Sequence, residues 1–302
     1  MAFMQNYTLR QLEYFVACID HKSIAGAANA LNVSQPTISV AISKLEEQFG
    51  IQLLLRHHSQ GVSPTANAEN ILQSARNLLQ HAADLELLAK TTGSVVSGNL
   101  RIGSFSPLAP TILPALIAEI GRTYPDINLI MSEGSQEHLT KGLFDGALDL
   151  ALLYDLNLPD GLRKVHLAER MPYVALPEGH PLFSSETISL QQLSKYPMIL
   201  LDVVPSRDYF IGLFQRVGLK PIIAHSSPSL ELVRSMVGQG LGYSILVTRP
   251  EGDISHDGKR LIIRQLSDET TPSHIVLASL KSLKPTNLVT SFESVATKLQ
   301  SA

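Results

Sequence analysis

Side chains that can hydrogen-bond to a nucleic acid are concentrated in one short stretch near the start of the chain. Gln35 carries an amide that can pair with adenine, and Thr37 and Ser39 carry hydroxyls that can contact bases or phosphates. Ser43 and Lys44 follow at spacings that keep them on the solvent side of a helix. These residue types in this order favour a contact with the major groove of double-stranded DNA.

An apolar stripe is expected to position those side chains. Ile38, Ile42, Leu45 and Phe49 recur at intervals of four, three and four, which predicts a helix with one buried face. We expect Gly50 to end this helix. The polar residues then lie on the face that the helix does not bury.

Two helices and a tight turn are predicted here. Ser34 can cap the second helix and Pro36 suits its first turn, because no amide donor is needed there. Ser23 can cap a shorter first helix that is rich in alanine, and only Asn32 and Val33 remain for the turn. This is the layout of a helix-turn-helix. An ordinary helical hairpin in a globular core fits the periodicity and the caps equally well.

The sequence AANALNVSQPTISVAISKLEEQFGIQLL closely resembles the DNA-binding domain of LysR-type transcriptional regulators. TLRQLEYFVACID is similar to the first helix of that domain, and 56–65 is similar to its wing, so the resemblance implies a DNA-binding domain over 1–65. The sequence departs from the family pattern at Ile24, Ala68, Val40 and Ala41, and polar residues are common at the last two. The DNA-binding residues implied are Ser34, Gln35, Pro36, Thr37, Ser39, Ser43, Lys44 and Arg56.

The charge of this predicted domain is balanced. Residues 1–65 contain four basic and four acidic side chains, whereas neutralisation of phosphates supplies most non-specific affinity for DNA. We therefore expect one copy to bind DNA weakly and several joined copies to bind it well. Helix N-termini can add contacts to phosphates. The basic residues are Arg10, Lys22, Lys44 and Arg56, and the acidic ones are Glu13, Asp20, Glu46 and Glu47.

A long helix is predicted from Thr65 to about Thr92, and it corresponds to a linker over 66–92. Its apolar positions recur at intervals of four and three, which is the period that two helices need to pair lengthwise. Packing of this helix on its own domain is the alternative. The resemblance implies a dimerisation helix that places two recognition helices on an interrupted inverted repeat. The positions are Ile71, Ala75, Leu78, Ala82, Leu85 and Ala89.

From residue 93 to 302 short apolar runs alternate with helical stretches, which predicts an α/β domain with parallel strands. The joint is GSVVSGN at 93–99. The order of elements resembles the family's effector domain, a two-lobed fold similar to periplasmic solute-binding proteins. We expect one lobe over about 98–165 with 268–302 and the other over about 166–267. The predicted strands beyond residue 165 are 171–176, 198–201, 222–225, 243–247, 261–265 and 274–278.

Ligands of such sheets bind at the carboxyl ends of the strands. Serines that precede helices there can join backbone amides in holding a carboxylate, and Arg207 can bind one bidentately. The alternative to ligand contact is a plain helix cap for each serine and an ion pair with Asp208 for Arg207. Because Asp202 is close to Arg207 in sequence, an amino-acid-like ligand that carries both charges is also compatible with this site. The predicted effector residues are Ser104, Ser106, Ser135, Tyr154, Asp202, Ser206 and Arg207.

Several classes of protein are disfavoured. No nucleophile motif, dinucleotide-binding glycine spacing or metal-ligand spacing occurs, so we expect no enzyme activity, no catalytic residue, no cofactor and no metal. Cys18 is the only cysteine, which excludes an intramolecular disulfide. No apolar run is long enough to span a bilayer and no export signal is evident, which predicts a cytoplasmic protein without a membrane partner.

Two hypotheses about function remain. The first is a transcriptional regulator that binds promoter DNA as a homodimer or, as is common in the family, a homotetramer, responds to a small effector and is able to contact RNA polymerase. The second is a cytoplasmic solute-binding module whose N-terminal helices serve assembly only, which the neutral charge of 1–65 favours. Steep salt dependence of DNA binding distinguishes the first from the second.

Overall fold

A computed structural model describes residues 6–57, 61–90 and 96–301 of the 302 residues. The N-terminal part contains three short helices, a two-stranded hairpin and one long helix, packed around a core of their own. In chain order they are α1 (Leu9–Asp20), α2 (Ile24–Ala30), α3 (Gln35–Phe49), β1 (Leu54–His57), β2 (Gly61–Pro64) and α4 (Ala66–Lys90).

The predicted caps of α2 and α3 and the predicted end of α3 are confirmed. Thr8 caps α1 in a capping box with Gln11, and Ser23 accepts a bond from the amide of Gly26 at the start of α2. Ser34 caps α3, and Gly50 ends it in the left-handed conformation, with a φ of 68°. These local bonds satisfy the free amides of the helix ends and fix where each helix begins.

The hairpin β1–β2 is antiparallel and forms a wing. The amide of Val62 donates to the carbonyl of Lys22 in the turn between α1 and α2 at 3.0 Å, which ties the wing to the helices. Gly61 has a φ of 89°, and a Cβ there would lie only 2.1 Å from the carbonyl oxygen of Lys22. Glycine is therefore required at the point where the wing meets the helices.

The long helix α4 is held at its start by Thr65. The Thr65 hydroxyl donates to the carbonyl of Gln52 at 2.7 Å, and its oxygen accepts from the amide of Ala68. Further along, Arg76 forms an ion pair with Asp20 of α1. The predicted end of the helix near Thr92 and the first residues of the predicted joint lie outside the described residues, as do the side chains at 70, 84 and 86–90.

The first lobe of the larger domain is a five-stranded sheet with helices on its faces, in the strand order β4-β3-β5-β13-β6. Strand β3 runs parallel to β4 and β5, as the alternating pattern predicts, and β13 is antiparallel to β5 and β6. Its elements are β3 (Gly98–Phe105), α5 (Ala109–Thr123), β4 (Ile127–Gly134), α6 (Gln136–Phe144), β5 (Leu150–Tyr154), β6 (Leu162–Arg170), β13 (Ser273–Leu280) and α10 (Asn287–Ser301).

The second lobe combines a four-stranded sheet, β11-β7-β12-β8, with the parallel pair β9 and β10. The carbonyl of Tyr243 accepts from the amide of Ile199 at 2.7 Å, which joins β9 to the segment that leads into β11. Its elements are β7 (Tyr173–Pro177), β8 (Thr187–Ile188), α7 (Leu190–Leu193), β9 (Pro197–Leu201), α8 (Ser206–Arg216), β10 (Ile222–Ser227), α9 (Leu230–Gly238), β11 (Ser244–Leu246) and β12 (Leu261–Leu266).

The predicted lobe boundary between 165 and 166 is wrong. It falls inside β6, which pairs with β13 of the first lobe along its whole length, from Leu162 to Arg170. The chain enters the second lobe only after β6 and returns between β12 and β13, close to the predicted position 267–268. The sequence pattern missed β6 because only Leu162 and Leu167 of its nine residues are buried, and the pairing shifts register at Leu167, so no regular alternation of apolar residues marks the strand.

None of the described helices is both long enough and apolar enough to cross a membrane.

Candidate DNA-binding surface and effector cleft

The face of α3 that was predicted to bind DNA is open to solvent. Ile38, Ile42 and Leu45 are fully buried. The opposite face is exposed from the helix start through Lys44, with Ser39 half-buried. A helix-turn-helix needs a buried apolar face and an exposed polar face on the same helix, because the residues that reach base edges cannot also pack in the core.

The hydroxyls at the start of α3 bond to each other. The oxygens of Ser34 and Thr37 lie 2.7 Å apart, and Ser34 also accepts from the amide of Thr37. Ser34 therefore acts as the helix cap, and it orients Thr37 at the helix edge. Gln35 and Pro36 are exposed beside this pair, so the amide of Gln35 is free to face a ligand.

The acidic residues of this domain mostly have local partners. One carboxylate oxygen of Glu46 accepts from the amides of Leu53 and Leu54, which holds the loop between α3 and the wing. Glu13 pairs with Arg10 on α1, and Asp20 pairs with Arg76 on α4. Three of the four carboxylates of 1–65 thus have local partners, and one of those partners, Arg76, is a cation that the sum over 1–65 leaves out.

The wing carries the remaining predicted contact. Arg56 is exposed on β1, and next to it a ring nitrogen of His57 lies 2.9 Å from the hydroxyl of Ser63 on β2. This bond joins the two strands next to the tip of the hairpin. The tip of the wing, 58–60, lies outside the described residues.

The predicted dimerisation positions on α4 divide into two sets. Ala75 is buried, and Ile71 packs with it in the core of its own domain, which corresponds to the alternative that the helix packs on its own domain. Leu78 and Leu85 are exposed, Leu85 at 68%, and Ala82 is half-buried. The side chain of Ala89 lies outside the described residues. Leu78, Ala75 and Ile71 also line an apolar groove that Tyr7 and Phe49 complete.

The carboxyl ends of β3, β4 and β5 lie side by side. Phe105 is in register with Gly134, and its ring packs edge-on against Tyr154 at 6.0 Å. The amide of Ser106 donates to the carbonyl of Gly134 at 3.2 Å, so Ser106 lies beside Ser135. The structure therefore brings these two predicted effector residues together. Ser135 also caps α6 by accepting from the amide of His138.

Two predicted effector residues of the first lobe are buried. Ser104 has no exposed surface and its hydroxyl points back to the carbonyl of Phe105. The hydroxyl of Tyr154 lies 2.7 Å from that of Thr248, which belongs to the second lobe. Tyr154 thus links the lobes, and burial raises its pKa well above the ordinary range. Neither side chain offers a free group to a ligand in this conformation.

Thr248 was not predicted from the sequence. Its hydroxyl meets Tyr154, and its backbone carbonyl accepts from the hydroxyl of Tyr173 at 2.9 Å. Burial raises the pKa of Tyr173 to about 12, so both phenols stay protonated at neutral pH. Thr248 has no local signal in sequence, because its role depends on partners far along the chain.

On the second lobe, Asp202 and Arg207 lie at the end of β9. The amide of Asp202 donates to the carbonyl of Ser227. The guanidinium of Arg207 lies 2.9 Å from Asp208 and 3.6 Å from Asp202, and the hydrogen bond with Asp208 raises the pKa of Arg207. Asp202 and Arg207 therefore lie together. Arg207 also forms the pair with Asp208 that was the alternative to ligand binding. Ser206, the first residue of α8, is buried.

Two helices of the effector domain start without a side-chain cap. Serines cap α6, α7 and α9, whereas the N-cap positions of α5 and α8, Leu108 and Pro205, make no side-chain hydrogen bond. These two helices follow the strand ends that carry Ser106 and Asp202. The dipole of a helix start favours an anion. Part of the backbone is already engaged here, since the amides of Thr111 and Arg207 donate to the carbonyls of Leu108 and Val203.

Among the described residues, no group of three His, Cys, Asp or Glu is arranged to hold a metal ion.

A winged helix-turn-helix joined by a long helix to a two-lobed α/β domain is the architecture of a transcriptional regulator with separate DNA-binding and effector-binding domains. The family model "Bacterial regulatory helix-turn-helix protein, lysR family" matches residues 9–69, and "LysR substrate binding domain" matches 93–299. The chain therefore belongs to the LysR family of transcriptional regulators, whose members are not enzymes.

Individual relatives agree with this assignment. The HTH-type transcriptional regulator YnfL of Escherichia coli is 32% identical over 80% of this chain and 82% of its own. The E. coli dual regulator OxyR is 30% identical over 79% and 78%. The structure of HinK, a LysR family regulator of Pseudomonas aeruginosa, is 39% identical, covers 98% of this chain and 99% of its own, and has a TM-score of 0.66.

Cys18 provides a test of how this domain is packed. The thiol is fully buried in α1, and burial raises its pKa to about 11. Because the thiolate is the nucleophile, we expect the native protein to react with iodoacetamide at pH 8 far more slowly than the unfolded protein. Mass spectrometry of the time course measures this, and each adduct reports on Cys18, since the chain has one cysteine. Equal rates in buffer and in guanidinium would contradict the buried position.

Proposed function

We propose that this regulator binds promoter DNA as an oligomer and that a small anionic metabolite, a carboxylate or an amino-acid-like compound, binds at the strand ends that carry Ser106, Ser135, Asp202 and Arg207 and changes the transcriptional output. The observation that carries the proposal is the exposed polar face of α3 opposite a fully buried apolar stripe. The DNA-binding set is Ser34, Gln35, Pro36, Thr37, Ser39, Ser43, Lys44 and Arg56, with Ser34 acting through the helix end.

The balanced charge of the domain is compatible with DNA binding for two reasons. Most of its acidic side chains are engaged by neighbours, whereas Lys44 and Arg56 are exposed. Two domains on one duplex also double the number of phosphate contacts, which multiplies affinity through effective concentration.

Replacement of Gln35 by alanine should weaken specific DNA binding by about 1 to 3 kcal/mol, because one amide contact to a base edge is lost. Electrophoretic mobility shift with the full-length protein and the DNA upstream of its gene measures the effect. Gln191→Ala is the matched control, since Gln191 is an exposed glutamine on α7 of the effector domain.

Salt separates this function from an assembly module. A DNA-binding regulator loses affinity steeply between low and physiological salt, whereas an assembly module shows no DNA binding to lose. Absence of any retarded complex at low salt, with a folded oligomer, would contradict the proposal and favour the solute-binding alternative.

The oligomer is proposed to form through α4. Leu78 and Leu85 are exposed along one side of this helix, and the apolar groove between α1, α3 and α4 continues that surface. Pairing of two α4 helices would cover it and would place two α3 helices on the halves of an interrupted inverted repeat. A tetramer formed from two such dimers, and a contact with RNA polymerase, extend the same proposal.

Leu85→Glu should shift the protein from dimer or tetramer towards smaller species, because a charge replaces an exposed apolar side chain at the centre of the pairing surface. Sedimentation velocity at micromolar concentration measures the shift. Phe183→Glu, at a side chain of similar exposure in the effector domain, is the control and should leave the distribution unchanged. An unchanged distribution for Leu85→Glu would exclude pairing through this side of α4.

The anionic effector is supported by the two uncapped helix starts, α5 and α8, and by the nearby polar groups. Ser106 and Ser135 lie together at the carboxyl ends of β3 and β4, and Arg207 lies at the start of α8 with Asp202 beside it. Behind this surface the hydroxyl of Ser104 bonds to the carbonyl of Phe105, and the hydroxyl of Tyr154 bonds to Thr248 of the second lobe. Ser206 is buried at the start of α8.

Ligand binding is tested by thermal shift of the full-length protein with a panel of small carboxylates and amino acids. A compound that binds only the folded protein raises its melting temperature, by an amount that grows with concentration. Arg207→Gln should abolish the shift, because the cation that pairs with the carboxylate is lost. Arg216→Gln, at the far end of the same helix, is the control. If the ligand still raises the melting temperature of Arg207→Gln, the ligand binds at a site that does not include Arg207.

A further inference from the structure

Val40 is an apolar side chain at the centre of the exposed face of α3. Its exposed fraction is 55%, whereas Ile38 and Ile42 on the same helix are fully buried. At about 100° per residue, Val40 lies about 200° from Ile38 and thus opposite the core. A β-branched residue also lowers helix propensity. Neither core packing nor helix formation therefore accounts for valine at this position.

Val40 and Ala41 form an apolar centre on this surface, and polar side chains lie around them. An open groove with a volume of about 470 Å³ runs along this part of α3, and Ala41 forms a small, half-buried side of it. The exposed Lys44 lies one turn further along. The lining residues are Gln11, Pro36, Thr37, Val40, Ala41 and Lys44.

The major groove of DNA presents one apolar group, the 5-methyl of thymine, among hydrogen-bond donors and acceptors. We propose that Val40, with Ala41 beside it, packs against a thymine methyl and so makes this regulator select thymine at one position of each half-site. The inference rests on the proposed DNA-binding function. A protein partner is disfavoured, because one valine and one alanine within a polar rim fall far short of the roughly 1,000 Å² that a specific interface buries.

Replacement of thymine by deoxyuridine tests this contact, because it removes only the methyl group and leaves base pairing unchanged. Duplexes enriched from a randomised pool by the full-length protein define the binding site, and each thymine in it is then replaced in turn. At one position of each half-site we expect the wild-type protein to lose about fourfold in affinity, the effect of one buried methyl-sized group.

Variants assign the effect to Val40. For Val40→Ala the thymine and deoxyuridine probes should bind equally at that position, and circular dichroism verifies that the exposed substitution leaves the fold intact. Ile130→Ala, at a comparably exposed side chain on β4, should keep the wild-type ratio.

The outcomes separate the two proposals. Wild-type binding that is insensitive to deoxyuridine at every position would overturn the inference and leave the DNA-binding function standing. A thymine preference that persists in Val40→Ala would overturn it as well, because another residue would then contact the methyl. Failure to enrich any duplex would remove the proposed function and this inference together.

Discussion

The burial of one stripe of α3 determines how the DNA-binding domain presents itself. Ile38, Ile42 and Leu45 have no exposed surface, and full burial of such side chains is worth about 1.5 to 3 kcal/mol each. A rotation of α3 about its axis would expose part of this stripe. The core therefore fixes the orientation of the opposite face, and the bond between Ser34 and Thr37 adds a local constraint at the start of the helix.

Local features of the N-terminal domain could be predicted from the sequence, because their causes are local. Thr8, Ser23 and Ser34 cap their helices through bonds to amides a few residues away, and Gly50 ends α3 in a conformation that suits glycine. The spacing of apolar residues predicted the buried face for the same reason. The resemblance to the LysR family extended this to the wing and to the larger domain.

Features that depend on distant partners could not be predicted. Strand β6 is defined by its pairing with β13, more than a hundred residues away along the chain, and no regular alternation of apolar residues marks it. Ala75 fitted a helix-pairing pattern, yet it is buried in the core of its own domain. Ser104 and Tyr154 stand at strand ends as predicted, but their burial is decided by neighbouring strands and, for Tyr154, by Thr248 of the other lobe.

The chain crosses between the lobes twice, after β6 and before β13, and the Tyr154 to Thr248 bond lies next to both crossings. Tyr154 pairs with Ile275 near the start of β13, and Tyr173, just past the other crossing, donates to the carbonyl of Thr248. Two strands leave one natural axis for relative rotation, and groups on the axis travel least. The hydroxyl of Tyr209 in α8 also donates to the carbonyl of Thr271 in the second crossing at 2.8 Å, so this part of α8 lies near the same axis. A rotation of the second lobe about the axis would therefore move the side of that lobe remote from the crossings further than it moves the first turn of α8.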